Sequence, residues 1–262
     1  MEIATSTDGT PIAFWRSGTG PTLLLVHGAT ADHTTTWRLV LEALEANFTV
    51  CAMDRRGRGG SGDGASYALA REAEDVAAVV DAIGEPVSLV GHSFGALCGI
   101  EAALVTSGIR KLVLYEGVPL RGIDQYPAGL RERLAALVEA GDVEGAYVVL
   151  LRDLVNMPPE EIELLRAQRE AWQRRLANAA TLPREISADS EYVFDPVRFG
   201  GVAAETLLLV GETSPPREME HARGVAAALP NASVRVLAGQ HHAAMHTAPD
   251  LFVREIVNFV RD

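Results

Sequence analysis

At 262 residues, 48% hydrophobic and 22% charged, the chain has ordinary globular composition and is long enough for one large core or a core plus a small insertion. A formal net charge of −12 argues against a nucleic-acid partner, which would require a basic surface, and no apolar run approaches the roughly 20 residues of a membrane helix. The first residues, Met1-Glu2-Ile3-Ala4-Thr5, lack the basic and then apolar segments of a signal peptide, so a cytoplasmic protein is expected.

In chain order, residues 2–6 and 11–16 read as two short strands around the turn Asp8-Gly9. Short, fully apolar runs follow at 22–26, 48–53, 87–90, 111–115, 206–210 and 233–237. Between them, residues 37–46, 67–83, 94–107, 217–229 and 248–260 carry apolar residues at helical spacing. Strands buried on both faces and alternating with amphipathic helices predict an α/β chain with a mostly parallel sheet covered by helices. The alternation stops between Gly117 and about Ala203, where only helical stretches appear, at 130–140, 143–155, 159–179 and 182–188. A core of residues 1–116 and 203–262 with a helical cap, or lid, over 117–202 is therefore expected. Cys51 and Cys98 read as buried core residues, since neither has a cysteine or histidine at ligand spacing nearby.

Gly91-His92-Ser93-Phe94-Gly95 stands between an apolar strand run and a helix. Small residues there allow a very tight strand-to-helix turn, which holds the Ser93 hydroxyl at its tip as a nucleophile. A serine needs a general base, and the segment Gly239-Gln240-His241-His242 after the last strand offers two histidines. His242 and His246 have the spacing of helical metal ligands, but the zinc-protease pattern needs Glu at the intervening position where Ala243 stands. No metal or cofactor is expected. Gly57-x-Gly59-x-x-Gly62 has a dinucleotide-binding spacing but does not run straight from strand into helix.

These motifs resemble the α/β-hydrolase fold superfamily, over residues 1–116 and about 203–262. The resemblance implies an eight-stranded, mostly parallel sheet and a serine esterase or lactonase. Alignment on Gly239 selects His242 as base, with His241 as the alternative. His27-Gly28-Ala29-Thr30 is similar to the family's oxyanion segment, which implies the backbone N–H groups of Ala29 and Phe94 as oxyanion donors and a supporting role for His27. Asp54-Arg55-Arg56-Gly57-Arg58-Gly59-Gly60-Ser61 resembles a structural loop of the family.

The family commonly places the triad acid a few residues after the seventh strand, where this chain has Gly211-Glu212-Thr213-Ser214, with Ser214 at the expected position. Glu116, at the end of the sixth strand, is the candidate substitute, because parallel strand ends open on one crevice. Some haloalkane dehalogenases and lactone hydrolases of this fold carry their acid there. Glu212 is the alternative. Serine in place of an aspartate nucleophile excludes dehalogenase and epoxide-hydrolase displacement chemistry. Tyr126, Tyr147 and Trp172 in the insertion are candidate substrate contacts, with Tyr192 and Phe194 beside them, and they suit a mid-sized hydrophobic ester or lactone. The alternatives within the same fold are C–C-bond-cleaving or other non-hydrolytic chemistry and a ligand-binding receptor. Monomer and homodimer both remain open.

Overall fold

Six of the apolar runs form the parallel strands of one sheet in a computed structural model that describes residues 1–120 and 126–261. The strands are β1 (Glu2–Thr5), β2 (Pro11–Gly18), β3 (Thr22–Val26), β4 (Thr49–Met53), β5 (Val87–His92), β6 (Ile109–Tyr115), β7 (Glu205–Gly211) and β8 (Ala232–Leu237). Their spatial order is β1-β2-β4-β3-β5-β6-β7-β8. β2 pairs antiparallel with both β1 and β4, whereas the other pairings are parallel. The order reverses around β3, beside the central strand β5, which is where parallel α/β sheets open a crevice at the carboxyl ends of their strands.

The helices are α1 (Leu41–Glu45), α2 (Leu69–Ile83), α3 (Phe94–Ala102), α4 (Leu130–Glu139), α5 (Val143–Val149), α6 (Pro159–Ala167), α7 (Arg169–Ala177), α8 (Leu182–Glu191), α9 (Pro196–Phe199), α10 (Pro216–Ala228), α11 (Ala244–Thr247) and α12 (Pro249–Arg261). Side chains alternate across a strand, so the apolar runs feed two cores. Leu23, Leu25, Val50, Ala52, Val113 and Leu207 pack on the face that holds Trp37 and Phe252. Leu24, Val26, Cys51, Met53, Leu112 and Leu208 pack on the other, with α2 and α3. Both cysteines are free and buried, and burial raises both thiol pKa values, that of Cys51 to about 11.

Between β6 and β7 the described residues contain helices and no strand. Residues 121–125 of this insertion lie outside the described residues. Three helical expectations are corrected. The run 143–155 changes to a π-helical turn at Leu150–Leu154, 159–179 divides at Gln168, and 37–46 is helical only over Leu41–Glu45. At Gln168 the backbone leaves the helical region, with ψ 66°, so one periodic stretch becomes two helices.

Candidate functional site

β5 turns into α3 at Ser93, whose φ of 55° and ψ of −130° lie where non-glycine residues are rare and cost about 1–3 kcal/mol. The surroundings hold it there. Its N–H donates to the Tyr115 carbonyl at 3.0 Å. A Cβ on Gly95 would stand 2.3 Å from the Val26 carbonyl oxygen, and one on Gly117, at φ 85°, would stand 2.3 Å from the Ser93 oxygen. Glycine at both places lets the turn close against β3 and the end of β6.

Beyond β8, the loop before α11 carries His242, and β6 ends in Glu116 at φ 51°. The two side chains meet, with the His242 Nδ1–H donating to Glu116 Oε2. Since a carboxylate only accepts, the proton sits on Nδ1 and leaves the Nε2 lone pair open. Glu116 Oε1 accepts two more hydrogen bonds, from the Gly211 N–H at 3.0 Å and the Ser214 hydroxyl at 2.6 Å. Ser214 thus occupies the expected acid position as a donor to the acid next door. Burial works to raise the Glu116 pKa, yet His242, Ser214 and the Gly211 N–H outweigh it and hold the carboxyl below its ordinary range. For His242, burial works to lower the pKa, and Glu116, with further help from Glu218 and Glu161, turns the net shift upward. The two alternatives, Glu212 and His241, lie elsewhere. The Glu212 carboxylate is exposed and accepts from the Gly239 N–H at 2.6 Å, and His241 lies in the wall of neither cavity described below.

Two residues absent from the sequence-based site hold the histidine loop. The His92 Nε2–H donates to the His242 carbonyl at 2.9 Å. The Tyr115 hydroxyl donates to the His241 carbonyl and accepts from the Ala244 N–H at 3.3 Å. His92 is the variable residue before the nucleophile and Tyr115 the residue before Glu116, so each sits one position from a candidate that the motif does identify. A third, Glu218 on α10, borders the same cavity, and burial followed by the nearby Glu116 charge pushes its pKa up to about 7.

The N–H groups of Ala29 and Phe94 have no protein partner among the described residues, and both residues line the cavity at Ser93. Phe94 opens α3, where the helix dipole adds positive potential. The loop after β4 braces this region. Arg55 stacks its guanidinium 4.5 Å from the Phe94 ring centroid, donates to the Gly28 carbonyl at 3.3 Å and pairs with Glu72 at 2.6 Å. His27 is fully buried, donates from Nδ1 to the Gly28 carbonyl at 2.9 Å and accepts the Arg55 N–H at Nε2 at 3.1 Å. It is fixed in place as a structural group, as expected. Arg55 and Arg58 both bind Glu185 of α8, tying the helical insertion to the sheet.

Two cavities flank Ser93 and His242. The first, with about 610 Å³ of empty space out to its mouth, is walled by Ala29, Phe94, Tyr126, Leu154, Ile186 and Asp189 among others. The second, of about 470 Å³, adds Thr36, Tyr147, Met157, Leu165, Arg175 and His246. Strand-end residues and insertion residues share both walls, so the insertion covers the crevice. Tyr126 borders the first cavity, with its hydroxyl on Asp189, and Tyr147 borders the second. Trp172 borders neither. It packs against Tyr147 with ring centroids 4.9 Å apart and donates to Glu144 at 3.2 Å, a place in the core of the insertion. Tyr192 bonds Glu101 at 2.7 Å and Phe194 stacks on Phe199 at 4.6 Å, both away from the cavities. Among the described residues no group of His, Cys, Asp and Glu has the arrangement of a metal site, and no helix is long and apolar enough to cross a membrane.

Similar proteins share this layout. An α/β hydrolase from Sphaerobacter thermophilus superposes with a TM-score of 0.86 at 34% identity, over 99% of this chain and 100% of that one. The esterase RhEst1 from Rhodococcus superposes with a TM-score of 0.75 at 25% identity, over 100% and 98%. An uncharacterized protein of Mycobacterium tuberculosis is 32% identical over 158 residues, which are 59% of this chain and only 39% of that protein. The profile of the Alpha/beta hydrolase family matches residues 23–255, and with the eight-stranded sheet and the strand-end serine this chain belongs to that family.

Proposed function

We propose that the chain is a serine hydrolase that cleaves a carboxylic ester or lactone through an acyl-enzyme on Ser93. The observation that carries this reading is that His242, hydrogen-bonded to Glu116 behind it, shares a cavity wall with a strained serine. The Ser93 Oγ attacks the carbonyl carbon while His242 Nε2 takes its proton, and the Ala29 and Phe94 N–H groups receive the negative charge that develops on the carbonyl oxygen. Collapse breaks the ester bond, with His242 returning the proton to the leaving oxygen. Water, deprotonated by the same nitrogen, then releases the acid and restores Ser93. Glu116 stays ionised throughout and stabilises the imidazolium in both steps. Residues 117–202 serve as the cap that excludes bulk water.

The esterase relative supports the ester class, since RhEst1 shares the fold over nearly its whole length. Labelling with a serine-directed fluorophosphonate, wild type against Ser93→Ala, tests the mechanism. Covalent labelling that disappears in the variant is expected, and wild-type protein that stays unlabelled would refute a Ser93 acyl-enzyme.

A further inference from the structure

The second cavity contains a cation with no counter-charge. Arg175 on α7 is 9% exposed, lines the cavity with Ser93 and His242, and makes no hydrogen bond or ion pair among the described residues. Its sequence neighbour Arg174 is exposed and lies 3.7 Å from Asp32 and 3.9 Å from Glu170. Every other buried arginine among the described residues has a carboxylate: Arg55 has Glu72 and Glu185, Arg56 has Asp75 and Asp8, and Arg58 has Glu185. None of its nitrogens is among the fully enclosed side-chain atoms, so the guanidinium reaches the open space of the cavity, where a charged group from outside can pair with it.

Other polar groups of that wall are enclosed and unpartnered, among them the acceptor Nδ1 of His92, whose ring donates from Nε2. The Thr36 hydroxyl and both ring nitrogens of His246 are buried and unpartnered. Burial, then Arg175 and Arg38, push the His246 pKa down to about 3, so its ring is neutral and offers one N–H and one acceptor. Among the described residues no carboxylate lines this cavity, whereas the first cavity has Asp189 and Glu218. The two sides of Ser93 therefore differ in sign.

We infer that the second cavity is a carboxylate subsite, with Arg175 as its anchor and Thr36 and His246 as accessory donors, so that the substrates are esters bearing a free carboxylate. A planar guanidinium matches a carboxylate with two parallel hydrogen bonds, which fixes orientation as well as affinity. This rests on the serine-hydrolase reading for its chemistry but not for its binding. The carboxylate belongs to whichever half of the substrate enters the second cavity, while the other half meets the first one, where Asp189 and Glu218 stand.

Two matched pairs test it: mono-4-nitrophenyl adipate against 4-nitrophenyl hexanoate for a carboxylate on the acyl side, and 4-acetoxybenzoate against phenyl acetate for one on the alcohol side. The wild type favours the charged member of at least one pair by 10-fold or more in kcat/KM, chiefly through KM. Arg175→Met collapses that ratio by about 100-fold and Arg175→Lys recovers part of it. Ratios at or below one in both pairs, or a ratio that Arg175→Met leaves in place, would overturn the subsite. Calorimetric titration of wild type with adipate and with adipamide reads the subsite without turnover or variants, and only the diacid binds if the inference is right. Adipate binding with no fluorophosphonate labelling of Ser93 would sink the hydrolase and keep the subsite. Labelling with no adipate binding would do the reverse.

Discussion

Replacing Glu116 by Gln changes one oxygen for an amide nitrogen, and the surroundings decide which one. Oε1 receives two donors, the Gly211 N–H at 3.0 Å and the Ser214 hydroxyl at 2.6 Å, so the amide oxygen must take that place and the NH₂ must face His242 Nδ1. An NH₂ there can only donate. His242 would then accept at Nδ1 and carry its proton on Nε2, the tautomer that cannot take a proton from Ser93. The variant loses the imidazolium's counter-charge and the useful tautomer together, a combination that in serine proteases costs about 10⁴-fold in kcat, or about 5 kcal/mol of barrier. Ser214→Ala keeps the carboxylate and removes one of its three hydrogen bonds, so a loss of about 10-fold is expected. Glu212→Gln, an exposed carboxylate bonded to the Gly239 N–H, changes the rate by about twofold or less. The assay is kcat/KM on a 4-nitrophenyl ester under conditions where all variants show the wild-type far-ultraviolet spectrum. Glu116→Gln retaining more than a tenth of the rate, or Glu212→Gln losing more than it, would refute the assignment of the acid.

The net upward shift of His242, where burial is outweighed by Glu116, places the acid limb of the pH–kcat/KM profile above the ordinary histidine value of 6.5, because only the neutral ring can act as base. Glu218→Gln removes a negative neighbour that raises that pKa, so the limb moves to lower pH; an unmoved or raised limb would contradict the geometry. The same shift makes the pair's contribution to folding full below pH 6.5 and lost as pH rises through the folded pKa, while the lowered Glu116 pKa makes its contribution present above 4.5 and lost as pH falls. The melting-temperature gap between wild type and His242→Gln is accordingly widest between those values. Glu72→Ala leaves the fully buried Arg55 with one carboxylate and costs about 3–5 kcal/mol, a fall of about 10 °C in melting temperature. Gly95→Ala drives a Cβ to 2.3 Å from the Val26 backbone oxygen, and loss of soluble folded protein on gel filtration is the expected outcome.

The candidate site at the strand ends was legible in the sequence because it depends on backbone. A parallel sheet delivers strand ends to one edge, so Ser93, Glu116 and His242 could be placed by counting strands, and the missing acid at position 214 pointed to the next strand end. Glu212, the alternative, has its carboxylate on the Gly239 N–H in the β8 loop. His92 and Tyr115 were missed for a different reason. Their work is to hold the carbonyls of His242 and His241, and any residue type with a donor of the right reach could do so, so no pattern in the chain marks them.

The specificity half depends on side-chain direction within the insertion, where periodicity is the only guide. The aromatic residues Tyr126, Tyr147 and Trp172 were selected by type: Tyr126 and Tyr147 border the cavities, whereas Trp172 fills the insertion's own core. Helical direction would have done better. On α7 the buried positions are Ala171, Trp172 and Arg175, spaced as one helical face, while Arg174 stands about 100° away and exposed. A charged residue on an otherwise apolar stripe is the sequence signature of a buried cation, and it could have been read from residues 171–175. What the stripe could not show is whether that cation meets a carboxylate of the fold, as Arg55 does, or faces an empty space beside a serine. That difference separates a structural ion pair from a ligand anchor, and it is set by how separate elements pack, not by the local stripe.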